Sequence, residues 1–141
     1  MIAILAAALL GQTPAPASGW TWTLYADSDP VVLSNEIPDT PNLRVTFECE
    51  PGSSVARLTL YGSGMAGTAR VSAGEAVAVG EAETTARGGA TRLSVRTDHP
   101  AFAAFAAEGV MAVTVGETRR PVEVPAAHLA KLRRFAELCS G

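Results

Sequence analysis

The sequence has few of the cations that nucleic-acid binding requires. Its 141 residues include 11 lysines and arginines against 14 aspartates and glutamates, for a net charge of −3. Lys131 is the sole lysine, and no basic run is longer than a pair such as Arg119-Arg120. Because nucleic-acid binding depends on several cations placed along the phosphates, this composition argues against a nucleic-acid partner.

The usual sequence signatures of metal centres and hydrolases are also missing. The two histidines, His99 and His128, and the two cysteines, Cys49 and Cys139, lack the short paired spacing of structural zinc sites. No Gly-x-Ser-x-Gly motif is present to place a serine at a strand-to-helix turn. We therefore expect no metal, no cofactor and no enzymatic activity. A hydrolase that uses the adjacent Asp98 and His99 is the alternative.

One glycine-rich stretch matches a nucleotide-binding motif in its letters only. Residues 62–67 read Gly-Ser-Gly-Met-Ala-Gly, the spacing of the dinucleotide fingerprint. That motif works only if a helix follows at once, because the helix N-terminus binds the pyrophosphate. Here residues 68–78 alternate like a strand and are interrupted by Gly74. We interpret the stretch as a hairpin loop.

Long apolar runs are absent, which argues against a membrane-spanning helix in the mature chain. The run at residues 2–10 is short for a bilayer span and is followed by a Pro-rich segment that ends Ala-Pro-Ala at 15–17. We expect residues 1–17 to be a cleaved signal peptide and residues 18–141 to form one β-rich domain. The protein is then periplasmic or secreted, without stable membrane insertion.

The alternating stretch at residues 43–49 is the clearest structural signal in the chain. Leu43, Val45, Phe47 and Cys49 alternate with polar residues, as a strand with one buried face requires. The other cysteine, Cys139, shares an apolar helical stripe near the end of the sequence. Two cysteines in an oxidising compartment most simply form one disulfide. We predict a Cys49–Cys139 disulfide that fastens a terminal helix to the sheet.

Period-two patterns recur along most of the mature chain and predict a mainly β fold. Strands are expected at residues 18–25, 31–34, 43–49, 55–61, 67–73, 76–79, 91–97, 110–115 and 118–124. Residues 35–42 read as a loop. Helical spacing predicts a short helix over 98–108, capped by Asp98, and a terminal helix after Pro125. We expect an antiparallel β-sandwich or small barrel, with the terminal helix packed on the sheet.

Aromatic residues and one arginine pair are the candidates for a binding surface. Trp20 and Trp22 share one strand face and are expected in the core, whereas Tyr25 and Tyr61 are expected on outward faces. The pair Arg119-Arg120 pairs either with an acidic partner or with the acidic N-terminal part of the domain, and the second is favoured. Exposed aromatic and arginine side chains on a rigid sheet are typical of protein-binding surfaces.

The order of these elements resembles a known family. Phe47-Glu48-Cys49 in a central strand, and a strand followed by a helix that ends at Cys139, are similar to small periplasmic proteins of the invasion-associated locus B type. Type VI secretion accessory proteins are similar in the same way. The sequence lacks the extra cysteines common in the invasion-associated group. Since those families have no established enzymatic site, the resemblance implies an exported binding or accessory protein.

We accordingly expect an exported, non-enzymatic protein that binds another envelope protein through a sheet or loop surface. A periplasmic inhibitor of a lytic enzyme is a second possibility, since several such inhibitors are small disulfide-bonded β domains. The Ser-Gly-x-x-Tyr loop of the C-type lysozyme inhibitors is absent, because the matching stretch that begins at Ser63 carries Gly67 instead of tyrosine.

Overall fold

A computed structural model describes residues 19–141, and the expected signal peptide at 1–17 lies outside the described residues. Nine strands and two helices make up this region. The strands are β1 (Thr21–Tyr25), β2 (Val31–Glu36), β3 (Leu43–Cys49), β4 (Val55–Tyr61), β5 (Gly67–Ala73), β6 (Ala76–Thr84), β7 (Ala90–Arg96), β8 (Val110–Val115) and β9 (Thr118–Glu123). The helices are α1 (Pro100–Glu108) and α2 (Leu129–Cys139), and a short 3-10 turn at Ala126–His128 precedes α2.

All nine strands belong to one antiparallel sheet that curls into a half-barrel. Their order is β1-β2-β3-β4-β7-β6-β5-β8-β9, so β1 and β9 form the two edges. The bend depends on β6, which pairs with β5 over residues 76–82 and then with β7 at Glu83 and Thr84. The expected β-rich fold with a terminal helix on the sheet is therefore confirmed.

The inner face of the sheet carries the hydrophobic core. Directly opposed residues on neighbouring strands share a face, and the inner row of β2, β3, β4 and β7 reads Leu33, Phe47, Leu58 and Leu93. All four side chains are buried. Because side chains alternate along a strand, this single row fixes which face of each strand is turned inward.

Both helices pack on that inner face through aromatic side chains. The Phe47 ring lies 5.3 Å from the Phe105 ring of α1 and 6.1 Å from the Phe135 ring of α2, between centroids. Arg133 of α2 also donates hydrogen bonds to two carbonyls at the end of α1, on Ala106 and Ala107. The two helices and the central strand therefore share one core.

The predicted disulfide is present. Cys49 at the end of β3 and Cys139 at the end of α2 are bonded, with Cα atoms 5.9 Å apart and 90 residues between them in sequence. The backbone reinforces this junction, because the Gly52 and Ser54 amides donate to the carbonyls of Leu138 and Cys139. The end of α2 is thus held against the turn between β3 and β4.

The predicted helix cap was wrong by one residue. His99, not Asp98, is the N-cap of α1, and its Nδ1 accepts a hydrogen bond from the Ala101 amide at 3.0 Å. Asp98 is instead bound by the Arg96 guanidinium, which contacts both carboxylate oxygens. The Asp98 carboxylate is thus occupied by Arg96 and does not cap the helix. Gly109 ends the helix in the left-handed region, with φ of 80°.

Three further predictions at the strands needed correction. The expected loop 35–42 begins later, since β2 continues through Asn35 and Glu36. The stretch 62–67 is a loop but not a hairpin, because β4 pairs with β7 and β5 pairs with β6 and β8. Trp20 lies before β1 and is only partly buried, whereas Trp22 is in the core as expected.

Candidate functional site

A cleft lies where the two ends of the curled sheet face each other. Its walls are residues of β1, β2 and β3 on one side and residues of β9 on the other, and its volume is about 250 Å³. A second depression of about 310 Å³ continues it toward the start of α2 and shares four of its lining residues. We call the two together the arginine cleft, lined mainly by Trp20, Trp22, Asn35, Arg44, Arg120 and Glu123.

The floor of the arginine cleft is formed by the Trp22 ring on one side and by the side-chain amide of Asn35 on the other. Trp22 and Asn35 are directly opposed on β1 and β2, so they share the inner face of the sheet. Trp22 is 4% exposed and Asn35 is 9% exposed. The Asn35 Nδ2 donates to the Thr21 carbonyl at 3.1 Å, which fixes the orientation of the amide. A nearly buried amide held in one orientation is suited to ligand recognition.

Arg44 stands at the rim of the cleft in a fixed orientation. Its guanidinium lies 4.0 Å from the centre of the Trp20 ring, within the distance at which a cation is attracted to an aromatic face. A guanidinium held over an aromatic ring by this attraction keeps its N–H groups available to other acceptors. Trp20 therefore positions the Arg44 donors at the entrance.

Arg120 reaches the same cleft from the opposite end of the sheet. It faces inward from β9, opposite the buried Val113 of β8, and its Nη2 donates to the Arg44 carbonyl oxygen at 3.2 Å. Partial burial, and secondly the nearby Arg44 cation, lower the pKa of Arg120. Two like charges therefore approach each other in a partly desolvated position.

These two arginines have no acidic partner within residues 19–141. The ion pairs of that region join Arg57 to Glu48, Arg96 to Asp98, and Arg134 to Glu137. Glu123 lines the cleft without an ion pair to either arginine in the described part of the chain. The described residues therefore leave the two guanidinium groups of this cleft without an intramolecular ion pair.

The second depression ends at His128, beside the only lysine. Lys131 Nζ donates to the Trp22 carbonyl at 2.7 Å, which ties α2 to β1, and lies 3.2 Å from His128 Nδ1. Burial, and secondly the Lys131 cation, lower the pKa of His128 below its usual value. The imidazole is therefore predominantly neutral near pH 7, and its Nδ1 accepts from the ammonium.

The structure separates the members of the predicted binding surface. Arg119 and Arg120 are neighbours on β9, so they point to opposite faces of the sheet, and only Arg120 enters the arginine cleft. Among residues 19–141 neither forms an ion pair, so the structure shows no pairing with the acidic N-terminal part of the domain. Arg119 lies at a separate depression on the outer face.

The two tyrosines lie on the outer face, as predicted. Tyr25 is 46% exposed and donates a hydrogen bond to the Glu36 carboxylate, which is the main cause of its raised pKa. Tyr61 is half-buried and lines a shallow depression with Arg87 and Arg92. This depression shares no lining residue with the arginine cleft.

The residues of the alternative hydrolase are used for structure in this fold. Both Asp98 oxygens accept from Arg96, which is the main cause of the lowered pKa of Asp98. His99 Nδ1 accepts from the Ala101 amide. Within residues 19–141, the His99 side chain forms no hydrogen bond with the Asp98 side chain and none with a serine hydroxyl.

The fingerprint-like loop is held by one buried hydroxyl rather than by a helix. Thr91 is fully buried, and its Oγ1 accepts from the Met65 amide at 2.8 Å and donates to the Ser63 carbonyl at 2.7 Å. Gly64 fits closely under the next loop, since a Cβ there would overlap the Gly88 carbonyl. Gly64 therefore serves the packing of two loops.

Sequence reasoning missed Arg44, Asn35 and Glu123 as members of one site. Arg44 occupies an outward position in an alternating strand, which is typical of a solvated residue. Asn35 fell in a stretch with two prolines that read as a loop. Since the cleft forms only when β9 meets the other end of the sheet, no local spacing connects Glu123 to the other two.

Two features are absent from residues 19–141. No helix of this region has the length and apolarity needed to cross a membrane. No cluster of three or more histidine, cysteine, aspartate or glutamate side chains in it has a geometry that suits a metal ion.

Comparison with protein-family models, with curated proteins and with solved structures finds no match to this chain.

Proposed function

We propose that this protein is an exported, non-enzymatic binding or accessory protein that recognises another envelope protein through the arginine cleft. The observation that carries the proposal is the convergence of Arg44 and Arg120 on one cleft without an acidic partner in residues 19–141. Arginine and tryptophan are the residues most enriched at the energetic centres of protein interfaces.

The scaffold supports a binding role. A disulfide joins β3 to α2, and Lys131 ties α2 to the carbonyl of Trp22 in the cleft floor. A binding site gains affinity when its walls are already ordered, because less conformational entropy is lost on association. Disulfides are also stable in oxidising compartments, which supports export and is consistent with the resemblance to small periplasmic proteins.

Site-directed photo-cross-linking tests the proposal. A benzoylphenylalanine at position Glu123 stands at the cleft, and the same residue at Val79 is the matched control. Val79 is 67% exposed on the outer face of β6. We expect irradiation of intact cells to give one discrete protein adduct in the periplasmic fraction from position 123 and none from position 79.

Three outcomes of the cross-linking experiment would contradict the proposal. Equal adducts from both positions would indicate unspecific contact, and no adduct from position 123 would contradict binding at the cleft. Recovery of the unprocessed chain from the cytoplasm alone would contradict export. Identification of the adduct by mass spectrometry distinguishes a structural envelope protein from a lytic enzyme, the partner expected of an inhibitor.

A further inference from the structure

We propose that the arginine cleft is a carboxylate site that receives one acidic side chain of the partner protein. This inference rests on the proposed binding function and specifies the chemistry of the same site. The relevant atoms are the guanidinium groups of Arg44 and Arg120, which approach the cleft from β3 and β9.

Orientation favours a planar, two-oxygen anion. The Arg44 guanidinium carbon lies 4.0 Å from the centre of the Trp20 ring, a contact that leaves N–H donors for a ligand. An arginine edge presents two parallel N–H donors, which match the two oxygens of a carboxylate. One Nη2 hydrogen bond to the Arg44 carbonyl holds Arg120, and its other donors are available.

Charge favours a monoanion over a dianion. The depression of about 250 Å³ is lined by two cationic side chains, Arg44 and Arg120, and one anionic side chain, Glu123. These charges leave an excess of one positive charge, which one carboxylate neutralises. A phosphate dianion would face Glu123 with an uncompensated negative charge.

The part of the cleft that holds both arginines has a size that suits a single side chain. Sites that enclose drug-sized molecules have volumes of about 300–1,000 Å³, and the part of the cleft that holds both arginines has about 250 Å³. The neighbouring depression, with Trp20 and His128, is placed to contact the residues that flank the acidic one.

The edge of the sheet disfavours the alternative of strand addition at β9. Pro121 stands in the middle of β9, lacks a backbone N–H, and interrupts the row of donors that an added strand would need. Recognition through a side chain inserted into the cleft requires no such row. The geometry therefore favours an inserted acidic residue over a paired strand.

Tryptophan fluorescence offers a direct test, because both tryptophans of the chain line the cleft. The probes are N-acetyl-glutamate amide, its neutral isostere N-acetyl-glutamine amide, and inorganic phosphate. We expect a saturable change with the glutamate probe alone. Arg120→Gln is expected to weaken its binding at least about tenfold, because a charge-assisted hydrogen bond is lost.

Arg119→Gln is the matched control, since it removes the same charge from the same strand on the opposite face. It should leave the affinity unchanged within about twofold. Arg44→Gln is a second test variant, because the Arg44 side chain lines the cleft and is exposed. An unchanged far-UV circular dichroism spectrum and cooperative melting verify that the Arg120→Gln variant is folded. If the Arg120→Gln variant does not fold, the affinity of the Arg44→Gln variant for the glutamate probe tests the proposal instead.

Three results would overturn the carboxylate assignment: no saturable signal, an equal signal with the glutamine probe, or tighter binding of phosphate. An equal loss in Arg119→Gln would also overturn it, because the effect would then be one of net charge. If these probes fail while position Glu123 still gives its discrete adduct, the binding function stands and only the carboxylate assignment falls. Loss of both overturns both proposals.

Discussion

Arg120 donates a hydrogen bond to the carbonyl oxygen of Arg44, which precedes it by 76 residues in the sequence. This contact joins β9 to β3 across the gap between the two ends of the half-barrel. It also places two guanidinium groups in one cleft without an acidic partner in residues 19–141. The closure of the fold and the formation of the candidate site are therefore the same event.

The disulfide is expected to be the largest single contribution to stability. Closure of a 90-residue loop lowers the entropy of the unfolded chain and stabilises the fold by about 4–5 kcal/mol in the entropic model. Replacement of Cys49 and Cys139 by alanine should therefore lower the free energy of urea unfolding by about 2–5 kcal/mol. Reductant should destabilise the parent protein and leave the double variant unchanged. Equal stability of the two proteins would contradict this role.

Thr91→Val should destabilise the protein through two backbone groups. The substitution removes the buried hydroxyl that accepts from the Met65 amide and donates to the Ser63 carbonyl. We expect a loss of about 2–3 kcal/mol in the free energy of unfolding, because both groups lose a partner. Thr59→Val is the control, since Thr59 is also buried on a neighbouring strand and forms no such bridge. Equal losses would indicate a packing effect alone.

Gly109 and Gly116 offer a comparison of two left-handed positions. Both have positive φ, but a Cβ at Gly109 would overlap the Val124 carbonyl, whereas a Cβ at Gly116 meets nothing within 4 Å. The Gly109 backbone is also held in place, because its carbonyl oxygen accepts a hydrogen bond from the Val124 amide at 2.7 Å. Gly116→Ala should cost about 1 kcal/mol and Gly109→Ala clearly more. Thermal unfolding of the two variants measures the difference, and equal losses would contradict it.

His128 should make stability dependent on pH. Burial and the adjacent Lys131 cation lower the pKa of His128 in the folded chain from the ordinary 6.5. Below pH 6.5 the unfolded chain binds more protons than the folded chain. The contribution of His128 to the free energy of unfolding is therefore complete above pH 6.5 and decreases as the pH falls below that value. The measurement is an unfolding series at several pH values.

The Lys131→Met variant separates the effect of the Lys131 cation on the pKa of His128 from the effect of burial. Without the cation, the pKa of His128 should rise part of the way toward 6.5 in an NMR titration, since burial, the larger cause, remains. Arg134→Met is the control, because Arg134 lies on the exposed side of the same helix in an ion pair with Glu137. An unchanged pKa in the Lys131 variant would contradict the assignment.

The local patterns of the sequence predicted the strands, the helices and the disulfide, but not the cleft. The alternating pattern predicted that Phe47 and Cys49 lie on the buried face of β3, and both side chains are buried in the structure. The pairing of β4 with β7 joins strands that are not consecutive, and alternation carries no information about it. Trp20 looked like a core residue because it shares its spacing with Trp22, but the Arg44 stack holds it at the rim.

The double pairing of β6 has a consequence for how cooperatively the molecule unfolds. The disulfide fastens β3 to α2, and β5, β8 and β9 connect to that fastened part of the sheet through β6, the β5 and β8 contacts with α1, the shared hydrophobic core, and the Arg120 hydrogen bond. The β5-β8-β9 side is therefore expected to open as one sub-global unit, and its amides should exchange with deuterium before those of β3 and β4. A ligand bound between Arg44 and Arg120 bridges both parts, and it should slow that exchange along all three strands rather than only at the point of contact.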